Sequence, residues 1–333
     1  MRVNETLLRC QACGSELRRS GSNFECIHCF KLYPVDNGIL VIENEDNVDL
    51  RINGEQLDLY RFRSEKLYFD RTIKSEVEFT GRLHSIEFAE FHAELLRPFL
   101  EGKVVADLGC GQLPYIHAFS NSGLNEYYAF DLNRESLDIA RKNYRGSFPL
   151  HLVQCGVDKV PLPANSVDAV VSSEVIEHLE RPIEYLQESH RICKKGGYLS
   201  ISVPCTSIYL YPYNFLALLK NPLSVKQWWL QLNAHNDWQA ALPWHPALRP
   251  AVLRSWVKKA GFRPIRHETR LWYYGTPLQP AWRFFKWLER AGVKTAGAIF
   301  DRYLKMTDRL LRANIPMVRW AGIRQFVLCK KSL

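Results

Sequence analysis

Apolar residues along much of the chain group into short unbroken runs, and the stretches between them carry apolar positions at helical spacing. The runs read as buried strands and the spaced positions as the inner faces of helices. The clearest stretch is Lys103 to Asp131. There Val104, Val105 and Ala106 predict a strand that delivers Asp107 to its end, a glycine turn opens a helix, and a second strand closes at Asp131. Ahead of it, Ile86, Phe88, Phe91, Leu95, Leu96 and Phe99 predict a helix over Leu83–Leu100. Downstream the pattern predicts helices over Arg134–Tyr144, Ile183–Cys193 and Ala251–Ala260, and strands over Leu150–Cys155, Ala169–Ser172 and Arg324–Lys330. Strands alternating with helices in this way predict an α/β fold with a doubly wound sheet.

The glycine turn carries candidate chemistry. Gly109 and Gly111 allow a ligand to approach the backbone at the start of a helix. Asp131 lies twenty residues after Gly111, at a strand end where a carboxylate can accept both hydroxyls of a ribose. Leu132 stands beside it. A dinucleotide fingerprint would need a third glycine where this chain has Pro114, so the turn predicts a nucleotide-type site other than that of a dehydrogenase.

The motif DLGCGQ, the acidic residue at Asp131 and the later run DAVVSSEVIEHLERP resemble class I S-adenosylmethionine-dependent methyltransferases. The resemblance runs from about Val104 to Pro204 and is strongest to the small-molecule branch that includes ubiquinone-pathway enzymes. It implies a Rossmann-like, seven-stranded, doubly wound sheet whose last strand is antiparallel, with S-adenosylmethionine as methyl donor. In that family Asp107, Gly109 and Gly111 would hold the methionine portion, and Asp131 with Leu132 the ribose side. A carboxylate that meets the adenine amino group usually follows strand three, but alignment puts Gly156 there. Asp158 is the substitute candidate, and the Val157 amide can also reach adenine.

Ser173, Glu174 and His178 would overlook the methyl group from the end of strand four. His178 and His245 are candidate general bases, since an imidazole titrates near neutrality, with Glu174 as a further catalytic candidate. The E-x-x-E-H pattern recurs in this branch with unrelated substrates, which equally suits a structural role for His178. Glu174, Glu177 and His178 also resemble the metal-binding set of some quinone O-methyltransferases. The segments SWVKKAGF and RPIRHETRLWYY resemble the last helix and sixth strand. Against the minimal fold, residues 205–246 and 275–322 are then insertions. The first carries Tyr209, Tyr211, Tyr213, Trp228 and Trp229, which suit either an apolar or glycan-binding pocket or the core of a lid.

At the N-terminus, Cys10-x-x-Cys13 and Cys26-x-x-Cys29 are spaced as two knuckles holding a structural Zn2+ through four thiolates. YPVDNGILVIEN resembles the closing hairpin of zinc ribbons found beside methyltransferases. Three parts are therefore expected: a ribbon over 1–45, a linker with short helices over 46–82, and the methyltransferase domain over 83–333.

Composition changes this picture in two places. The chain's 333 residues are 47% hydrophobic and contain nine cysteines; with no apolar leader the expectation is a cytosolic protein whose cysteines are thiols and metal ligands. The net charge of +9 is local, because residues 277–333 hold twelve Lys/Arg against three Asp/Glu while the rest balances. Within 275–322, Trp282, Phe285 and Leu288, then Ile299, Tyr303, Met306 and Leu310, predict two amphipathic helices with basic opposite faces. Such helices suit peripheral contact with the inner membrane surface through 277–320, or packing on the sheet with a solvated basic face. The expected function is methylation of a small molecule, sugar or lipid-linked glycan, with O-methylation favoured. Alternatives are an rRNA or tRNA methyltransferase and a non-catalytic adaptor. Nucleic acid is the weaker partner, because the fourth motif is not of the N/D-P-P-Y type.

Overall fold

The structure is a computed structural model that describes residues 7–42, 91–113, 116–179, 181–205, 248–270, 278–293, 295–299, 302 and 324–332. The linker over 46–82, the first insertion with His245 and its aromatic residues, most of the second insertion, and the side chains of His178 and Trp282 lie outside the described residues.

Twelve strands are described. Leu17–Ser20 (β1), Asn23–Cys26 (β2) and Leu32–Tyr33 (β3) form an antiparallel sheet of their own. The other nine are Val35–Asp36 (β4), Ile39–Val41 (β5), Val104–Leu108 (β6), Glu126–Asp131 (β7), Leu150–Gln154 (β8), Val167–Ser173 (β9), Cys193–Pro204 (β10), Phe262–Arg270 (β11) and Arg324–Lys331 (β12). They make one sheet in the order β11-β12-β10-β9-β6-β7-β8-β5-β4. The chain runs from β6 outward through β7 and β8, then returns to β9 on the other side of β6. That reversal places the topological switch point at the carboxyl end of β6, where open α/β sheets bind ligands.

The seven expected strands are present, and the β4–β5 hairpin extends them to nine. Asn37 and Gly38 link this hairpin with φ of +48° and +72°, the left-handed pair that a tight two-residue turn requires. β5 then pairs in parallel with β8 through Leu40↔Val153 and Val41↔Gln154. The last strands of the cysteine-rich segment are thus the edge of the main sheet.

β6 and β7 are buried at every position, as parallel strands covered on both faces must be. Helix Arg134–Asn143 (α1) starts at Asn133, whose side chain accepts from Ser136 N at 3.0 Å. Its first turn carries Glu135 and its last Arg141 and Lys142, which complement the helix dipole. Helix Pro182–Ile192 (α2) starts with proline at its first position and buries Tyr185, Leu186, Ser189 and Ile192. Each large apolar side chain so buried contributes about 1.5–3 kcal/mol.

One expectation is corrected. The glycine turn does not open a regular helix among the described residues: between β6 and β7 there is only a 3-10 turn, Ile116–Phe119. Leu113, also left-handed at φ +54°, interrupts the helical path.

The chain divides into two compact units, Met1–Ile201 with Arg254–Arg266 and Val327–Leu333, and Ser202–Leu253 with His267–Phe326. Within the second, Gln325 donates to Leu248 O at 2.8 Å and lies 3.1 Å from His267 Nε2. The second unit also contains helix Leu278–Arg290 (α4). Helix Pro250–Lys259 (α3) precedes β11.

Candidate cofactor site and four-cysteine centre

At the carboxyl end of β6 the backbone turns through Gly109 and Gly111, at φ +81° and +53°. Gly109 N and Cys110 N both donate to Phe130 O, at 2.8 and 3.0 Å, so the turn is held against the end of β7. The two glycines face different surroundings. A Cβ on Gly109 would lie 2.5 Å from Val175 Cγ2, whereas a Cβ on Gly111 would meet nothing within 4 Å among the described residues. Gly109 is packed, and no described residue fills the space beside Gly111.

Asp131 closes the turn from the other side. Its Oδ2 accepts from Gly111 N at 2.7 Å and its Oδ1 from Asn133 N at 2.8 Å. Burial raises its pKa while these amide donors oppose the shift. Each oxygen retains acceptor capacity beyond the one amide it holds. Leu132, next to it, is 41% exposed.

Asp107 lies inside. It is fully buried, and its Oδ2 accepts from Tyr127 OH at 2.9 Å. Burial and the Asp107 charge push the Tyr127 phenol up, so it stays a donor. Phe119 and Phe148 pack on Tyr127, with ring centroids 6.0 and 5.9 Å away.

After β8, Val157 is buried and Asp158 is half-buried. Asp158 Oδ1 is inaccessible and takes no hydrogen bond from the described residues. A buried acceptor without a partner costs free energy, and a ligand donor would relieve it. The loop bearing these residues is clamped from α2. Glu188 Oε1 accepts from Val160 N at 2.8 Å. Arg191 then grips both Glu188 oxygens, at 2.6 and 2.7 Å, and reaches Leu162 O at 2.8 Å.

At the end of β9, Ser173 is followed by Glu174 in the left-handed region at φ +57°, a conformation that costs roughly 1–2 kcal/mol for a residue with a side chain. This turn brings Val175 against Gly109 and leads into the 3-10 turn Ile176–His178. Glu177 there is buried, and burial pushes its carboxyl up to about 8. Tyr185 OH of α2 lies 2.7 Å from Ser172 Oγ and 3.2 Å from Leu108 O, tying β9 to β6 beneath the turn.

The structure therefore brings together Asp107, Gly109, Gly111, Asp131, Leu132, Val157, Asp158, Ser173 and Glu174 along the carboxyl edge of β6–β9. Tyr127, Val175, Tyr185, Glu188 and Arg191 support the site without occupying a defined position of any motif in the sequence. Tyr127 reads as ordinary strand filling, and the others serve the site only through the fold.

In the N-terminal segment the Sγ atoms of Cys10, Cys13, Cys26 and Cys29 lie within 4.8 Å of one another. Cys10–Cys29 is 3.5 Å and Cys13–Cys26 is 3.3 Å. Both knuckles share one geometry. Gly14 and Phe30, each just after the second cysteine, are left-handed, and donate to Cys10 O at 2.8 Å and Cys26 O at 3.1 Å. A tetrahedral set of four thiolates is the donor set that zinc takes. The other five cysteines, Cys110, Cys155, Cys193, Cys205 and Cys329, are buried and form no disulfide.

Residues 106–201 match the protein family described as "Methyltransferase domain". Over these residues the chain carries a methyltransferase domain. Similar proteins include an uncharacterized chloroplastic methyltransferase of Arabidopsis thaliana, 27% identical over 150 residues, covering 43% of this chain and 40% of the relative. Also similar is the tRNA (carboxymethyluridine(34)-5-O)-methyltransferase of Mus musculus, 32% identical over 116 residues, covering 33% of this chain and 16% of the relative. A ubiquinone biosynthesis O-methyltransferase of Cereibacter sphaeroides is 24% identical over 187 residues, covering 53% of this chain and 67% of the relative. The chain spans less than half the length of the first two. Among solved structures, a complex between the Haloferax volcanii Trm112 methyltransferase activator and a putative methyltransferase aligns at TM-score 0.47 and 18% identity, covering 78% of this chain and 97% of that one.

Proposed function

We propose that the chain is an S-adenosylmethionine-dependent methyltransferase acting on a small-molecule acceptor, with O-methylation favoured. The observation that carries this reading is the site at the switch point: a glycine turn open at Gly111, closed by the two-oxygen acceptor Asp131. S-adenosylmethionine, when bound, supplies an electrophilic methyl group on a sulfonium centre.

The chain's own residues bind and orient. Asp131 has acceptor capacity for ribose hydroxyls, and Asp158 Oδ1 has an unused lone pair for the adenine amino group. Leu132 stands beside Asp131 on the ribose side, and the Val157 amide reaches the adenine. Gly109, Gly111 and Asp107 form the methionine end. Ser173, Glu174 and His178 border the acceptor side, with His178 or His245 removing a proton if the acceptor is a hydroxyl. Positioning for in-line displacement supplies most of the acceleration. The four thiolates of Cys10, Cys13, Cys26 and Cys29 hold a structural Zn2+.

The acceptor class draws support from the ubiquinone-pathway relative, while the tRNA methyltransferase relative keeps RNA as the second reading. A lipid-linked acceptor at a membrane surface draws support from α4 and the residues after it. Phe284, Trp287, Val293 and Ile299 are large apolar side chains left exposed there, in a part of the chain with the strongest positive charge. No helix among the described residues is long and apolar enough to cross a membrane.

The test is transfer from methyl-labelled S-adenosylmethionine into fractionated cell extract, with Gly111→Arg as control, since its side chain enters the open space. Label in the small-molecule or lipid fraction supports the reading. Label in RNA replaces it with the second, and neither transfer nor cofactor binding leaves a non-catalytic adaptor.

A further inference from the structure

The contacts between the cysteine-rich segment and the rest of its compact unit fall on the loop after β8, on β8 itself and on helix α1. In the first knuckle, between Cys10 and Cys13, Gln11 donates its side-chain amide to Lys159 O at 2.5 Å, and Arg9 N donates to Pro161 O at 2.9 Å. Gln11 N in turn donates to Tyr33 OH at 3.2 Å, and that hydroxyl lies 3.1 Å from Cys10 Sγ. A continuous set of contacts therefore runs from a cysteine of the metal centre to the loop that carries Val157 and Asp158.

The hairpin holds helix α1, which follows directly on the Asp131–Asn133 loop. Asp36 and its carbonyl take the guanidinium of Arg134 at 2.7 and 3.1 Å. Asn37 donates to Asp138 Oδ1 at 3.0 Å and accepts from Arg141 at 2.5 Å. Arg134 is the first residue of α1, directly after Asp131-Leu132-Asn133. β5 meanwhile fixes β8, and Ile42 N donates to Gln154 O at 3.0 Å just before the Val157 loop. Structural metal sites ordinarily stabilise their own small fold. Here the fold they stabilise touches one loop on the adenosine side and the helix that leads out of the other.

We propose that the four-cysteine segment positions the cofactor site: Gln11 holds the loop at 155–161 directly, Asn37 holds α1 and through it the 131–133 loop that leads into that helix, both in the arrangement that binds adenosine, and the metal centre fixes Gln11. This rests on the reading of the site as one for S-adenosylmethionine. Gln11 and Asn37 are positioning residues. If the loops reach the binding arrangement only part of the time, apparent affinity falls by that fraction.

The test uses the full-length zinc-loaded chain. Gln11→Ala removes the bond to Lys159 O, and Asn37→Gly removes the side chain while keeping the left-handed turn; the double variant combines them. Calorimetric binding of S-adenosylmethionine, zinc content, thermal midpoint and amide exchange are measured together. The expected result is affinity weaker by roughly 5- to 10-fold in the double variant, with one zinc per chain retained. Exchange should quicken at residues 156–162 and not in β6 or β9. Unchanged affinity with a lowered thermal midpoint overturns the proposal, because the segment is then a structural staple only. Unchanged affinity with unchanged exchange overturns it as well. A wild-type chain that binds no S-adenosylmethionine removes the functional reading and this inference together, whereas a wild-type chain that binds beside a variant that binds equally well removes only the inference.

Discussion

Gly109 and Gly111 sit two residues apart, both left-handed, and their substitution by alanine has different expected outcomes. Gly109→Ala forces a methyl into Val175, so the variant should lose thermal stability by more than the 1–2 kcal/mol that a left-handed alanine costs. Gly111→Ala carries only that backbone cost, so its stability loss should be the smaller and its main effect should be on cofactor affinity, seen by comparing melting and binding titrations. Asp131→Asn keeps the shape and offers the ribose one acceptor instead of two; binding should weaken by at least about 1.5 kcal/mol, in the range of a bond to a charged group. Glu177 gives a pH signature. Its folded pKa of about 8 stands above the ordinary 4.5, so between these values the folded state binds more protons than the unfolded one. Stability from this group is complete below about pH 4.5, falls as pH rises, and is gone above about pH 8. Denaturant midpoints measured from pH 5 to 9 should fall in the wild type and be flatter in Glu177→Gln. At this scale much of the site was legible, since Asp107, the glycines and Asp131 sit at strand ends fixed by the apolar runs. Asp158 was only a substitute, because sequence spacing points to Gly156 and only the orphaned oxygen marks its neighbour.

Strand ends tie the elements together more than helix faces do. Lys331, near the end of β12, is buried and donates to Asn165 Oδ1 at 2.9 Å, His190 O at 2.7 Å and Cys193 O at 2.8 Å. Lys331→Ala strands three acceptors and should cost ~2–3 kcal/mol, from the penalty for unsatisfied buried groups, read as a shift in denaturant midpoint. The elements themselves were nearly all foreseen: α1, α2, α3, β8 and β12 begin and end within about two residues of their expected bounds, the ordinary uncertainty of element ends. The exceptions have physical reasons. The expected helix after the glycine turn is a single 3-10 turn because Leu113 takes a left-handed conformation. The hairpin around Asn37-Gly38 was legible from the resemblance of YPVDNGILVIEN to the closing hairpin of zinc ribbons, but its partner was not, because an edge strand's sequence says that it pairs and not with which strand.

Charge and exposed apolar surface decide how the whole molecule meets its surroundings. If the segment 277–320 engages a membrane, binding to vesicles with anionic headgroups should exceed binding to neutral ones and fall with added salt, and Phe284→Ser with Trp287→Ser should abolish it in a flotation assay. The positive bias was legible by counting, whereas the exposure of Phe284 and Trp287 was not: their helical spacing fits a buried face equally well. β5 has a consequence at this scale too. β8 would otherwise end the sheet with an open row of amides and carbonyls, a template for any extended chain. The hairpin occupies that row and presents in its place β4, two residues long and ending in the charged Asp36. A chain shortened to begin after Ile42 should therefore lose more than its cysteines: its bared β8 should recruit strands from its neighbours, and self-association should rise steeply with concentration.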